Sequence, residues 1–146
     1  MNTHWRDQIS WIATAGITGW EDFTLTWTGS TNPTYTTDSA RYCQIGKLVV
    51  ARVKATYTSG GTGTWAWSLP VTMATSGGLM AHGSGRVYDD SLTDAYVVTM
   101  RDPNSGWTTV NALQDAQSAD GLISQTSPFT WASPDVVSFA LLYEAA

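Results

Sequence analysis

Apolar residues recur at every second position through much of this chain. Phe23, Leu25 and Trp27 alternate with Asp22, Thr24, Thr26 and Thr28. Val49, Ala51, Val53, Ala55 and Tyr57 share one side of a run whose other side carries Arg52, Lys54 and Thr56. Trp65, Trp67 and Leu69 repeat the pattern, as do Tyr96, Val98 and Met100, and Val137, Phe139, Leu141 and Tyr143 close the chain. Successive side chains of a strand point to opposite faces, so a period of two predicts half-buried strands with one face in a core.

Turn-forming residues separate these runs. Thr58-Ser-Gly-Gly-Thr-Gly63 is expected to be a hairpin loop between two strands. Ser76-Gly-Gly78, His82-Gly-Ser-Gly85, Asp102-Pro-Asn-Ser-Gly106 and Ser133-Pro-Asp135 are expected to punctuate the rest. Gly46, just before an alternating run, suits a bulge or a positive-φ turn. Pro70 ends a strand because it has no N–H for a ladder. The expected fold class is all-β, an antiparallel β-sandwich of jelly-roll-like form over residues 21–146. Residues 1–20 depart from the pattern. Trp5, Ile9, Trp11, Ile12 and Trp20 occur there without clean alternation, and Gly16 and Gly19 would soon end a helix. This segment is expected to be an N-terminal docking arm whose large side chains anchor on a partner or on the domain itself.

Composition narrows the setting. A chain of 146 residues has the length of one domain. Its charged fraction is 13%, against about 25% in ordinary soluble proteins; Thr, Ser and Gly take the place of ions. Such a surface suits work outside a cell or in a packed assembly. The net charge is −5 and the seven Lys and Arg residues are scattered along the sequence. That disfavours nucleic acid and anionic membranes as partners. No run reaches the roughly 18 to 20 apolar residues of a membrane span. The N-terminus lacks the pattern of a secretory signal, so the chain is expected to be made in a cytoplasm. The single Cys43 has no intrachain partner and is expected to be a small buried apolar residue.

No catalytic constellation can be assembled. His4 and His82 stand apart, with no nucleophile signature beside either, and no metal or other cofactor is expected. Asp89, Asp90 and Asp94 form the densest acidic cluster but lack the Gly and terminal Glu of an EF-hand. They are expected to be a solvated loop in which alanine at Asp89 and Asp90 together is tolerated. Eight Trp residues are the sharpest feature. Trp27, Trp65 and Trp67 share strand faces with other apolar residues and are expected in the core or a subunit interface. Trp107, with Tyr88, Asp89 and Asp90, is a candidate surface contact for a glycan, since aromatic faces stack on sugars.

Three segments resemble a domain of tail-fibre and minor tail proteins from phages of actinobacteria. They are Ala40-Arg-Tyr-Cys-Gln-Ile-Gly-Lys-Leu-Val49, Gly61-Thr-Gly-Thr-Trp-Ala-Trp-Ser-Leu-Pro70, and Pro128-Phe-Thr-Trp-Ala132 followed by Asp135 and Leu142-Tyr-Glu-Ala-Ala146. Trp27-Thr-Gly-Ser-Thr-Asn-Pro33 is similar to the segment that often precedes the first of these. The resemblance covers roughly residues 21 to 146, with Pro134 standing where the family often has Gly. It implies a non-enzymatic virion structural protein that forms a homotrimer, joins other virion proteins of the tail or capsid, and touches a host cell-surface glycan. Two further readings are a capsid decoration protein built on the same domain and a soluble carbohydrate-binding module. A depolymerase ranks last.

Overall fold

The computed structural model describes residues 19–74, 81–101, 108–114 and 121–146. Among them the chain forms nine strands and no helix: β1 (Glu21–Asp22), β2 (Trp27–Thr28), β3 (Thr31–Ile45), β4 (Leu48–Thr62), β5 (Ala66–Ser68), β6 (His82–Asp89), β7 (Asp94–Arg101), β8 (Thr109–Gln114) and β9 (Val136–Glu144). They pair antiparallel in one sheet of order β1-β3-β4-β9-β6-β7-β8-β5-β2. The all-β antiparallel class predicted by the period of two is therefore present. Its sandwich-like form comes from one continuous sheet folded over on itself.

The two central strands show the cause most clearly. Val49, Ala51, Val53, Ala55 and Tyr57 of β4 are buried, as are Val137, Phe139, Leu141 and Tyr143 of β9, while Arg52 and Lys54 face solvent. A two-residue turn, Gly46-Lys47, joins β3 to β4, and Gly46 adopts a φ of 60°. A side chain there would strain the left-handed backbone.

The ends of the sheet explain its curl. β1 and β2 lie at opposite edges, yet only residues 23–26 separate them in sequence. Five peptide steps reach roughly 17 Å at most, so the edges must face each other. No ladder joins β1 to β2. Tyr35 of β3 bridges the seam instead: its hydroxyl accepts the Trp27 N–H at 3.1 Å and donates to the Leu25 carbonyl at 2.8 Å.

Inside the fold lies one aromatic core. Trp27 meets Trp65 edge-to-face with centroids 5.0 Å apart, and lies 5.4 Å from Trp67 and 5.6 Å from Trp131. Phe129 stacks on Trp131 at 5.0 Å, and Tyr96 reaches Phe129 at 5.4 Å. Offset and edge-to-face arrangements are the favourable ones for aromatic quadrupoles. Trp27, Trp65 and Trp67 are thus core residues. Their indole N–H groups have no hydrogen-bond partner among the described residues, which is the cost of packing them into so apolar a centre.

Two turn expectations are corrected. Thr58-Ser-Gly-Gly-Thr-Gly63 is not a hairpin loop, because β4 runs on to Thr62 and pairs there with the start of β3. Gly60 and Gly61 sit within that ladder at φ 72° and 83°. His82-Gly-Ser-Gly85 is not a turn but the first half of β6. A Cβ on Gly85 would lie 2.2 Å from the Ser138 carbonyl oxygen, and one on Gly83 2.2 Å from that of Ala140. These glycines serve close approach to β9, which a sequence pattern cannot separate from turn-making. Cys43, expected to be buried, is half-exposed and carries a free thiol.

Candidate functional site: a basic groove on the outer face

The two buried carboxylates among the described residues, Asp89 and Asp135, are committed to the scaffold. Asp89, expected on the surface, is 4% exposed. Its Oδ1 accepts hydrogen bonds from the Ser91 N–H at 3.0 Å, the Ser91 hydroxyl at 2.7 Å and the Leu92 N–H at 3.2 Å. Asp side chains favour such local turn bonding, and here the carboxylate organises the β6–β7 turn, so Asp89 is no surface contact. Asp90 does face solvent, but its N–H donates to Asp135 Oδ1 at 2.9 Å. Asp135, 1% exposed, also accepts the Ala132 N–H at 2.6 Å through Oδ2. Both buried carboxylates therefore hold backbone.

Buried phenols are similarly occupied. Tyr143 donates to the Val71 carbonyl at 2.9 Å, and its pKa is pushed up to about 12, chiefly by burial. Tyr57 donates to the Gly60 carbonyl at 2.7 Å. Burial raises its pKa, the Asp135 charge adds to that, and a hydrogen bond with Gln125 opposes it. No group of three or more His, Cys, Asp or Glu that would hold a metal occurs among the described residues. No described helix is long and apolar enough to cross a membrane.

The outer face of the central strands is different. Strand pairing aligns Lys54 of β4, Ser138 of β9, Arg86 of β6 and Val97 of β7 in one row. The next row on one side holds Arg52, Ala140, Ser84 and Thr99, and on the other Thr56, Val136, Tyr88 and Ala95. Four of the seven Lys and Arg residues, scattered in sequence, thus meet on one face: Arg41 of β3 opposite Arg52 of β4, with Lys54 and Arg86. Lys54 and Arg86 flank Ser138 from strands about 10 Å apart. Two depressions flank Arg86. One, about 460 Å³, is bounded by Ser84, Gly85, Val97 and Ala140. The other, about 250 Å³, is bounded by Lys54, Arg86, Tyr88, Val136 and Ser138.

Charge around this groove is uneven. Lys54 has a partner in Asp38 at 3.6 Å, and Asp38 also accepts the Thr56 hydroxyl at 2.8 Å. Arg52 lies over the Trp20 ring, 4.7 Å from its centroid. Arg86 has no carboxylate within ion-pair distance among the described residues. Of the four glycan-contact candidates, Tyr88 lines the groove, Asp90 lies at the neighbouring turn and Asp89 points inward. Trp107 lies outside the described residues, as do Trp5, Ile9, Trp11 and Ile12 of the arm. Trp20 is 42% exposed and rests on its own sheet, its carbonyl accepting from Arg41 at 2.8 Å. Lys54, Arg86 and Ser138 were missed because their juxtaposition depends on strand order. Comparison with family models, curated proteins and solved structures finds no match to this chain.

Proposed function

We propose that this chain is a non-enzymatic virion structural protein of the minor-tail or tail-fibre type, a surface domain that assembles as a homotrimer with other virion proteins and touches a host-surface glycan. The observation that carries this reading is where the three resembling segments fall. The first forms the β3–β4 hairpin, the second supplies Trp65 and Trp67, and the third supplies Phe129, Trp131, Asp135 and Tyr143. All of them build or brace one core, as segments retained for a common scaffold would. Binding through linked copies raises overall affinity without new contacts, which suits a domain offering an open groove.

The test is its presence in purified particles of the phage that encodes it, read by mass spectrometry and by antibody labelling in electron micrographs. Label on the tail supports the reading, label confined to the head favours capsid decoration, and absence from particles overturns both. The second reading, a soluble carbohydrate-binding module, is favoured by the Lys54–Arg86–Tyr88 groove and predicts glycan binding by a chain that is not in particles.

A further inference from the structure

We propose that the groove between Lys54 and Arg86 is a binding site for an acidic saccharide, with the anionic group, carboxylate or phosphate, held between the two cations and a neutral sugar ring resting on Tyr88. The proposal deepens the glycan-contact reading above by naming the site and the ligand class.

Charge supplies the first argument. In a chain of net charge −5, Arg52, Lys54 and Arg86 gather on one sheet face. Among the described residues, a guanidinium without a carboxylate partner, beside an ammonium held only by a part-exposed pair at 3.6 Å, leaves donors for an incoming anion. Asp38 partly offsets Lys54, so Arg86 is the main anchor. Shape supplies the second. The smaller depression is lined by Tyr88, Val136 and Ser138 beside the two cations, a mixture of apolar and polar residues typical of ligand sites. Aromatic faces pack on the apolar face of a sugar ring while hydroxyls meet its polar rim.

Polarity along the groove supplies the third. One row beyond Tyr88 begins the turn with Asp90 and Asp94 exposed, whereas Arg52 lies one row beyond the cations in the other direction. An extended polyanion such as nucleic acid would meet repulsion at the acidic end. A saccharide with a single anionic group at the Lys54–Arg86 row would not.

Calorimetric titration of the full-length chain tests this with four probes: a maltooligosaccharide ending in one glucuronate, a maltooligosaccharide bearing one phosphate monoester, the unmodified neutral maltooligosaccharide and inorganic phosphate. One of the two anionic saccharide probes should bind at least tenfold more tightly than the neutral one, and which of them does so tells carboxylate from phosphate. Affinity should fall as salt rises. Arg86→Gln should weaken binding at least tenfold, Tyr88→Ala should weaken saccharide binding, and Lys47→Gln, at the exposed β3–β4 turn, should change nothing. The proposal is overturned if neither anionic saccharide binds, if Arg86→Gln binds as wild type does, or if inorganic phosphate binds as tightly as the saccharides. Salt-sensitive self-association abolished by Arg86→Gln would also overturn it, by assigning the groove to the acidic turn of a second copy. Failure here leaves the chain's presence in particles standing, and absence from particles leaves the measured affinity standing.

Discussion

The carboxylate of Asp135 accepts the backbone N–H of Asp90 at 2.9 Å, tying the loop before β9 to the β6–β7 turn. With Asp89 folded into that same turn, two acidic side chains act as structural acceptors rather than as surface charge. Asp135→Ala would remove the buried carboxylate that accepts the part-buried N–H groups of Asp90 and Ala132. The expected cost is about 2–4 kcal/mol. Asp89→Ala should cost about 1–3 kcal/mol, whereas Asp90→Ala should stay within about 0.5 kcal/mol. Chemical denaturation of the three single variants checks the ranking, and equal effects of Asp89→Ala and Asp90→Ala would contradict it.

Close approach between β6 and β9 makes a second prediction. A methyl group on Gly85 would meet the Ser138 carbonyl at 2.2 Å and the Phe139 Cβ at 2.6 Å. Backbone cannot yield as a flexible side chain can, so Gly85→Ala should destabilise by about 3 kcal/mol or more. Ser84→Ala, on the exposed face of the same strand, should be nearly neutral. Thermal unfolding of both variants gives the comparison.

Two tryptophans should respond in opposite ways. Trp27 is 1% exposed at the centre of the aromatic core, and Trp27→Ala should cost about 3–5 kcal/mol or prevent folding. Trp20 is 42% exposed with Arg52 over its ring, and Trp20→Ala should cost about 0.5–1 kcal/mol. Circular dichroism melts distinguish the two, and a severe loss from Trp20→Ala would place that residue in the core.

Tyr143 makes stability depend on alkaline pH. Its folded pKa of about 12 lies above the ordinary 10 because burial disfavours the phenolate. The unfolded chain therefore loses this proton first. The stability linked to it is fully present below pH 10 and is lost as pH rises from about 10 to about 12, by roughly 2–3 kcal/mol. Tyr143→Phe should flatten this part of the profile while losing the bond to Val71 at all pH values. Denaturation midpoints between pH 9 and pH 12 measure it.

The sequence by itself determined the strand faces of the core. The alternation in β4, β5, β7 and β9 matches their buried positions, because a strand's side-chain period is local and needs no knowledge of neighbours. It also marked Gly46 as a turn and Trp27, Trp65 and Trp67 as interior candidates. β3 escaped notice because much of its surface is exposed and polar, and β6 because its glycines mimic a loop. Asp89 looked solvated because charge suggests water unless turn donors are seen to surround it. Only the tertiary structure decided the groove: Lys54, Ser138 and Arg86 lie far apart in sequence and become neighbours because β9 pairs between β4 and β6. Periodicity tells which way a side chain points, whereas strand order, set by how the whole sheet buries its apolar face, decides what it points beside.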